Sequence, residues 1–141
     1  MCAMAERAQG SPDRIAESRH GVVLLDRFGR GEGHMLVMAR HHYEHASELD
    51  WEEYSDLQRL AHEACIALRQ AKSPVRTYVA VLGAPTQMPM SFPHFHIHVL
   101  PVYHADERAR PAHVFSWGTN ALSYEDDEAL ALCKLLRDAW P

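Results

Sequence analysis

The sequence predicts a single α+β domain, an antiparallel sheet with a long central helix and a C-terminal helix. Three observations predict it. The apolar runs Gly21–Asp26 and His34–Ala39 are joined by a stretch with three glycines, Arg27–Gly33, the pattern of an antiparallel strand pair. An amphipathic stretch from Trp51 to Gln70 separates this pair from a second group of β-forming residues. Strands and helices in such blocks, rather than in strict alternation, read as α+β.

Each element has its own signal. Residues 1–18 read as a flexible tail, with a short helix after Ser11-Pro12, and residues 19–141 as the domain. Asp50 is a good N-cap, and Glu53 three residues later completes a capping box. Tyr54, Leu57, Ala61, Ala64 and Leu68 then recur at helical spacing, and Ser73-Pro74 stops the helix. Thr77 to Leu82 is rich in β-formers and reads as a buried strand, ended by Gly83-Ala84-Pro85. Phe92 to Tyr103 is the next strand, with Pro93 and Pro101 limiting its pairing. His104 to Asn120 is irregular, with a short strand at Val114-Phe115. Ser123 caps a last helix whose stripe is Leu130, Cys133, Leu136 and Trp140.

Composition narrows the function. A chain of 141 residues can bury a core without a metal or disulfide staple. Its net charge of -5 argues against bulk DNA or RNA binding, which calls for a basic stripe. Three dispersed cysteines, Cys2, Cys65 and Cys133, make no disulfide framework and no metal knuckle, and fit a reducing, cytoplasmic setting. No apolar run is long enough to span a membrane, and Met1 to Arg19 does not resemble a signal peptide.

Histidine is the outlier, at 11 residues. His20, His42, His45, His62, His104 and His113 read as surface rings. The stretch His94-Phe95-His96-Ile97-His98 differs. Alternate side chains of a strand share a face, so the three imidazoles form a row about 6.6 Å apart, opposite Phe95, Ile97 and Val99. This predicts an accessible row of rings on a rigid element. Three uses of such a row compete. It is a polar wet face; or a zinc site on His94, His96 and His98, completed by a ligand such as His34; or a nucleophilic centre. In the last, a neutral imidazole attacks phosphorus and forms a covalent phosphoramidate.

Pro93-His94-Phe95-His96-Ile97-His98-Val99-Leu100-Pro101 resembles the signature of the histidine triad (HIT) superfamily, His-φ-His-φ-His-φ-φ with φ hydrophobic. Gly33-His34-Met35-Leu36-Val37 resembles that family's Gly-His-x-Leu-Val strand. Asp26, eight residues before His34, and Ser91, three before His94, stand where members carry a ribose-binding residue and a phosphate-contacting hydroxyl. The resemblance implies a dimeric HIT-like domain that hydrolyses or transfers nucleoside monophosphates from dinucleoside polyphosphates, nucleoside phosphoramidates or related conjugates. It makes His96 the nucleophile and gives His98 the task of orienting it or binding phosphate oxygen. It sets His94 beside the leaving group to help its protonation, and His34 as positioner of the triad. Asp26 would bind the ribose and Ser91 the phosphate or leaving group. It implies no cofactor beyond a divalent metal carried by a polyphosphate substrate. A binding or interaction module that keeps the triad face is the non-catalytic alternative. Asp26 also suits the start of a turn, and Ser91 a loop hydroxyl bonded to its own backbone.

The chain departs from the family before Ser91 and again after Tyr103. Many members carry Gly-Gln before the Ser or Thr, whereas here Pro89 and Met90 precede Ser91. Neither offers the N–H or amide donor of that pair. After Tyr103, Arg108 and Arg110 are candidates for a distal phosphate, and Trp117 for a base or partner pocket, each beside the plainer reading of a solvated loop or core packing.

Overall fold

The structure, a computed structural model, describes residues 3–82, 92–116 and 121–141. Five strands form one antiparallel sheet: β1 (Arg14–Glu17), β2 (Gly21–Leu25), β3 (Met35–Ala39), β4 (Arg76–Ala80) and β5 (His96–Val102), in the order β1-β2-β3-β5-β4. The helices are α1 (Ala3–Gln9), α2 (Trp51–Lys72), α3 (Pro111–Val114) and α4 (Asp126–Asp138).

Register sorts the side chains. Val23 pairs with Val37 and Val37 with Ile97; Leu25 pairs with Met35 and Met35 with Val99. These residues share one face and build the main core with Leu57, Leu60, Ala61, Ala64 and Leu68 of α2. The alanines let α2 lie close to the sheet. Its first turn is capped by Asp50, which accepts from the Glu53 N–H. Its end is closed by Ser73 in the left-handed conformation, whose N–H reaches the Leu68 carbonyl.

The opposite face pairs Val22 with Met38 and Met38 with His96, then Leu24 with Leu36 and Leu36 with His98. Ala8 of α1 joins Val22 and Met38 at one side. Val114 of α3 joins Leu100 and Val102 at the other. The histidine row lies between the two.

Several expectations change. The tail is ordered from Ala3: Arg14–Glu17 pairs with β2, and Ile15 enters the main core, so the folded unit begins before residue 19. Thr77 to Leu82 is no buried strand. β4 is the edge strand, and Val79 is 46% exposed, because the sheet order and not local sequence decides what covers it. Val114 lies in α3 and Phe115 caps it, because Pro111 at the first turn and the Arg110 carbonyl favour a helical turn. Glu125, not Ser123, caps α4, and its buried stripe is Ala129, Leu132, Cys133 and Leu136, with Leu130 outward. Cys133 fills the core as a free thiol and Cys65 is half-buried. Among the described residues no helix is long and apolar enough to cross a membrane.

Candidate active site

Strand β5 carries His96 and His98 and begins only there rather than at Phe92; His94 lies in the segment before it, His34 directly precedes β3, and the turn after β2 adds Asp26. Ser91, Pro89, Met90 and Trp117 lie outside the described residues. The histidine row is buried rather than accessible: His94, His96 and His98 are 3%, 5% and 8% exposed, and His34 is sealed at 0%. The rings cover one another, with His96 and His98 centroids 4.7 Å apart, and Phe92 stands edge-on to His96 at 5.4 Å. Local alternation could not reveal the part of this cover that comes from His34 and Phe92.

Hydrogen bonds order the protons. The Arg30 backbone N–H can only donate, and it points at Nδ1 of His34 at 3.1 Å. Nδ1 therefore carries a lone pair and the neutral ring has its proton on Nε2. His34 Nε2 lies 3.0 Å from His98 Nδ1, so His98 accepts there and has its proton on Nε2. His98 Nε2 lies 3.0 Å from His96 Nε2 and donates to it. His96 then has its proton on Nδ1, which donates to the His94 carbonyl at 2.7 Å. That carbonyl can only accept, so the chain closes consistently from both ends. Burial pushes His34 and His98 down to about 3 and lowers His96, which keeps all of these rings neutral near pH 7.

His94 stands apart from the chain. Its Nε2 donates to the Ala39 carbonyl at 2.6 Å. Its Nδ1 is therefore bare, and among the described residues it is buried with no partner. Burial holds this ring below its ordinary range as well. His94 thus presents an acceptor rather than a donor at Nδ1.

Asp26 is fixed by its own turn, accepting from the Phe28 N–H at 3.0 Å, and burial raises its pKa. Its Oδ2 is 3.5 Å from His34 Nδ1, too far for a strong hydrogen bond. Leu24 and Leu36, in register with His98, are half-buried apolar neighbours of the row that the sequence did not single out.

The turn carrying Asp26 and Arg30 is tied down by distant parts of the chain. Arg27 pairs with Asp13 and Asp126. Arg30 donates to the carbonyls of Val114 and His113. The Leu122 N–H reaches the Gly29 carbonyl, and the Gly33 N–H the Tyr124 hydroxyl. None of these partners has a sequence signal.

Asp26, His34 and His98 each offer one ligand atom within 4.8 Å of one another. Both nitrogens of His34 are already committed, one to Arg30 and one to His98. A cation here would have to break the chain, so this donor set fits a hydrogen-bonded relay better than a metal centre. Arg108 lines a cavity of ≈ 390 Å³ with Arg30, Tyr103 and His113, and no triad histidine is among its described lining residues. Its guanidinium is taken by Asp106, and Arg110 pairs with Glu107. Both are exposed surface pairs.

Comparison with known proteins agrees with this geometry. The HIT domain family model matches residues 8–105. A HIT-like protein of Mycoplasma genitalium is 30% identical over 105 residues, covering 72% of this chain and 73% of the relative. A histidine triad nucleotide-binding protein of Sulfolobus tokodaii superposes with a TM-score of 0.76 at 18% identity, covering 98% of this chain and 91% of the other. A diadenosine triphosphate hydrolase of Plasmodium falciparum, solved in complex with cyclomarin A, gives 0.68 at 16% identity, covering 91% and 76%.

Proposed function

Since the chain belongs to the HIT domain family, we propose that it hydrolyses or transfers nucleoside monophosphates from conjugates such as dinucleoside polyphosphates and nucleoside phosphoramidates, through a nucleotidyl-His96 intermediate. The proton order of the buried histidines carries this reading. It leaves His96 neutral, with Nδ1 anchored on the His94 carbonyl and a lone pair on Nε2. Nucleophilic attack on phosphorus needs that tautomer. The lone pair is capped at rest by the His98 N–H. An arriving phosphoryl oxygen is a better acceptor, draws that N–H to itself, and frees Nε2 to attack. His34 and the Arg30 N–H hold His98 in the donating tautomer.

Asp26 binds the ribose hydroxyls, with Leu24 and Leu36 as apolar support for the nucleoside. Ser91 contacts phosphate or leaving group. A divalent metal enters only with a polyphosphate substrate. The protein works as a homodimer in a reducing, cytoplasmic compartment. The dimer reading draws support from the edge strand β4 and the residues flanking it, where Val75, Val79, Val81 and Leu82 are 63%, 46%, 43% and 44% exposed. An apolar open edge is a template for pairing with a second copy.

The test is incubation with an adenosine phosphoramidate and with diadenosine polyphosphates. The expected result is AMP release and a mass shift of one AMP on the peptide containing His96. His96→Ala should lose roughly 10⁴-fold or more in turnover, as removal of a nucleophile does. Inactivity on every adenosine and guanosine conjugate would instead support a nucleotide-binding module.

A further inference from the structure

We propose that His42 is the general acid and base of this site, delivering the proton to the leaving group beside His94. The proposal rests on the nucleotidyl-transfer reading above. Three observations converge on it. His94 has its one proton tied to the Ala39 carbonyl and presents only a bare, buried Nδ1. Pro89 brings no N–H and Met90 no side-chain amide where many members have Gly-Gln. His42 lies over His94 with ring centroids 5.5 Å apart, and its side chain is 52% exposed, so it reaches both the site and water.

His42 has carboxylates on one side and an imidazole on the other. Among the described residues, Glu44 approaches its Nε2 at 4.0 Å, and the carboxylate of Glu48 acts on it from the 3-10 turn Ala46–Glu48. His94, a neutral ring with a bare Nδ1, is an acceptor for an N–H of His42. Asp26 sits by His34, at the other end of the row from His94. A nucleoside held at Asp26 with phosphorus at His96 directs its leaving group towards His94 and His42.

The two steps balance. In the first, His96 Nε2 bonds to phosphorus, the bond from phosphorus to the leaving nitrogen or oxygen breaks, and the His42 proton passes to the departing atom. In the second, water attacks phosphorus and gives its proton to His42, and the phosphorus–Nε2 bond breaks. His42 returns to its protonated state and His96 to its neutral one.

The experiment compares an AMP ester of 4-nitrophenol, which leaves as an anion without help, with an AMP phosphoramidate of an alkylamine, which must be protonated. His42→Gln should reduce kcat on the alkylamine substrate by roughly 10²–10⁴ more than on the nitrophenyl ester. The alkaline fall in kcat seen with the alkylamine should vanish in the variant, and added imidazole should partly restore His42→Ala. Equal losses on the two substrates, or none on either, would overturn the role of His42. Wild-type labelling of His96 separates the two failures. If His96 is labelled but leaving-group dependence does not change, only the His42 assignment falls. If the wild-type protein turns over neither conjugate, both readings fall.

Discussion

Nε2 of His34 lies 3.0 Å from Nδ1 of His98, although 64 residues separate them in the chain. The start of β3 and strand β5 place them side by side, and the contact passes the direction set by the Arg30 N–H on to His96.

Replacing His34 should therefore act on kcat rather than on binding. Gln at this position has an amide that can flip, so it no longer dictates which nitrogen of His98 holds the proton. His34→Gln is expected to lower kcat roughly 10²–10⁴-fold, the scale seen when a catalytic histidine takes the wrong tautomer. KM should change little. Nitrogen chemical shifts of His98 and His96 would read the tautomers directly, and retention of the wild-type pattern would contradict the relay.

Gly29 is required by close approach. A Cβ built there would sit 2.6 Å from His34 Cβ and 2.8 Å from its Nδ1. Gly29→Ala must push the His34 ring and loosen the Arg30 contact. The expected outcome is an unchanged far-ultraviolet circular dichroism spectrum with kcat reduced about 10²-fold, the cost of misplacing a catalytic group by about 1 Å. Full activity in this variant would show that the relay tolerates displacement.

Much of this site was legible because it is written in strand alternation. His94, His96 and His98 fall on one face and Phe95, Ile97 and Val99 on the other, and spacing alone brings in His34 and Asp26. What sequence could not reveal depends on non-local or backbone groups. The Arg30 N–H is available at almost any residue type and leaves no trace in composition. β1 holds a single fully buried apolar residue, Ile15, and becomes a strand only because β2 pairs with it. The exposure of β4 follows from sheet order, and the burial of the histidine row in part from the ring of His34, distant in sequence. His42 looked like a surface ring because its neighbour His94 is distant in sequence.

Acid should destabilise the fold through the neutral histidines. Burial holds His34 and His98 down to about 3, against an ordinary value of 6.5. Between those values the unfolded chain binds more protons than the folded one, so stability rises with pH across this window. It is fully present above about 6.5 and lost progressively as pH falls towards about 3. Urea midpoints measured from about pH 7.5 down to about pH 4 should fall, and the slope should be shallower in His98→Gln, which removes one of the two protons taken up. A flat profile would mean that these rings are already charged in the native state.

The dimer proposal is tested at the open edge. Val79→Glu places a charge on β4, a device that blocks edge pairing. Light scattering should give twice the chain mass for the wild-type protein and the chain mass, 16.0 kDa, for the variant. A wild-type monomer at micromolar concentration would end the proposal, and a dimeric variant would move the interface elsewhere.

The peptide unit between His94 and Phe95 is gripped from both ends. Its carbonyl accepts from His96 Nδ1 at 2.7 Å, and its N–H donates to the Tyr43 carbonyl at 2.6 Å. Tyr43 is held in turn by its hydroxyl, which donates at 2.7 Å to the buried carboxylate of Glu53 on α2. Burial alone would raise Glu53, but the hydrogen bonds from Tyr43 and His41 outweigh it and keep the group charged. Thus α2 steadies the peptide plane that orients His96. Tyr43→Phe removes one donor from a charged acceptor and should cost about 1.5–3 kcal/mol in stability. It should also lower kcat several-fold by letting the 94–95 peptide tilt, with KM little changed. If stability falls but kcat does not, the Tyr43 hydroxyl anchors the fold alone, and the orientation of His96 is set within β5.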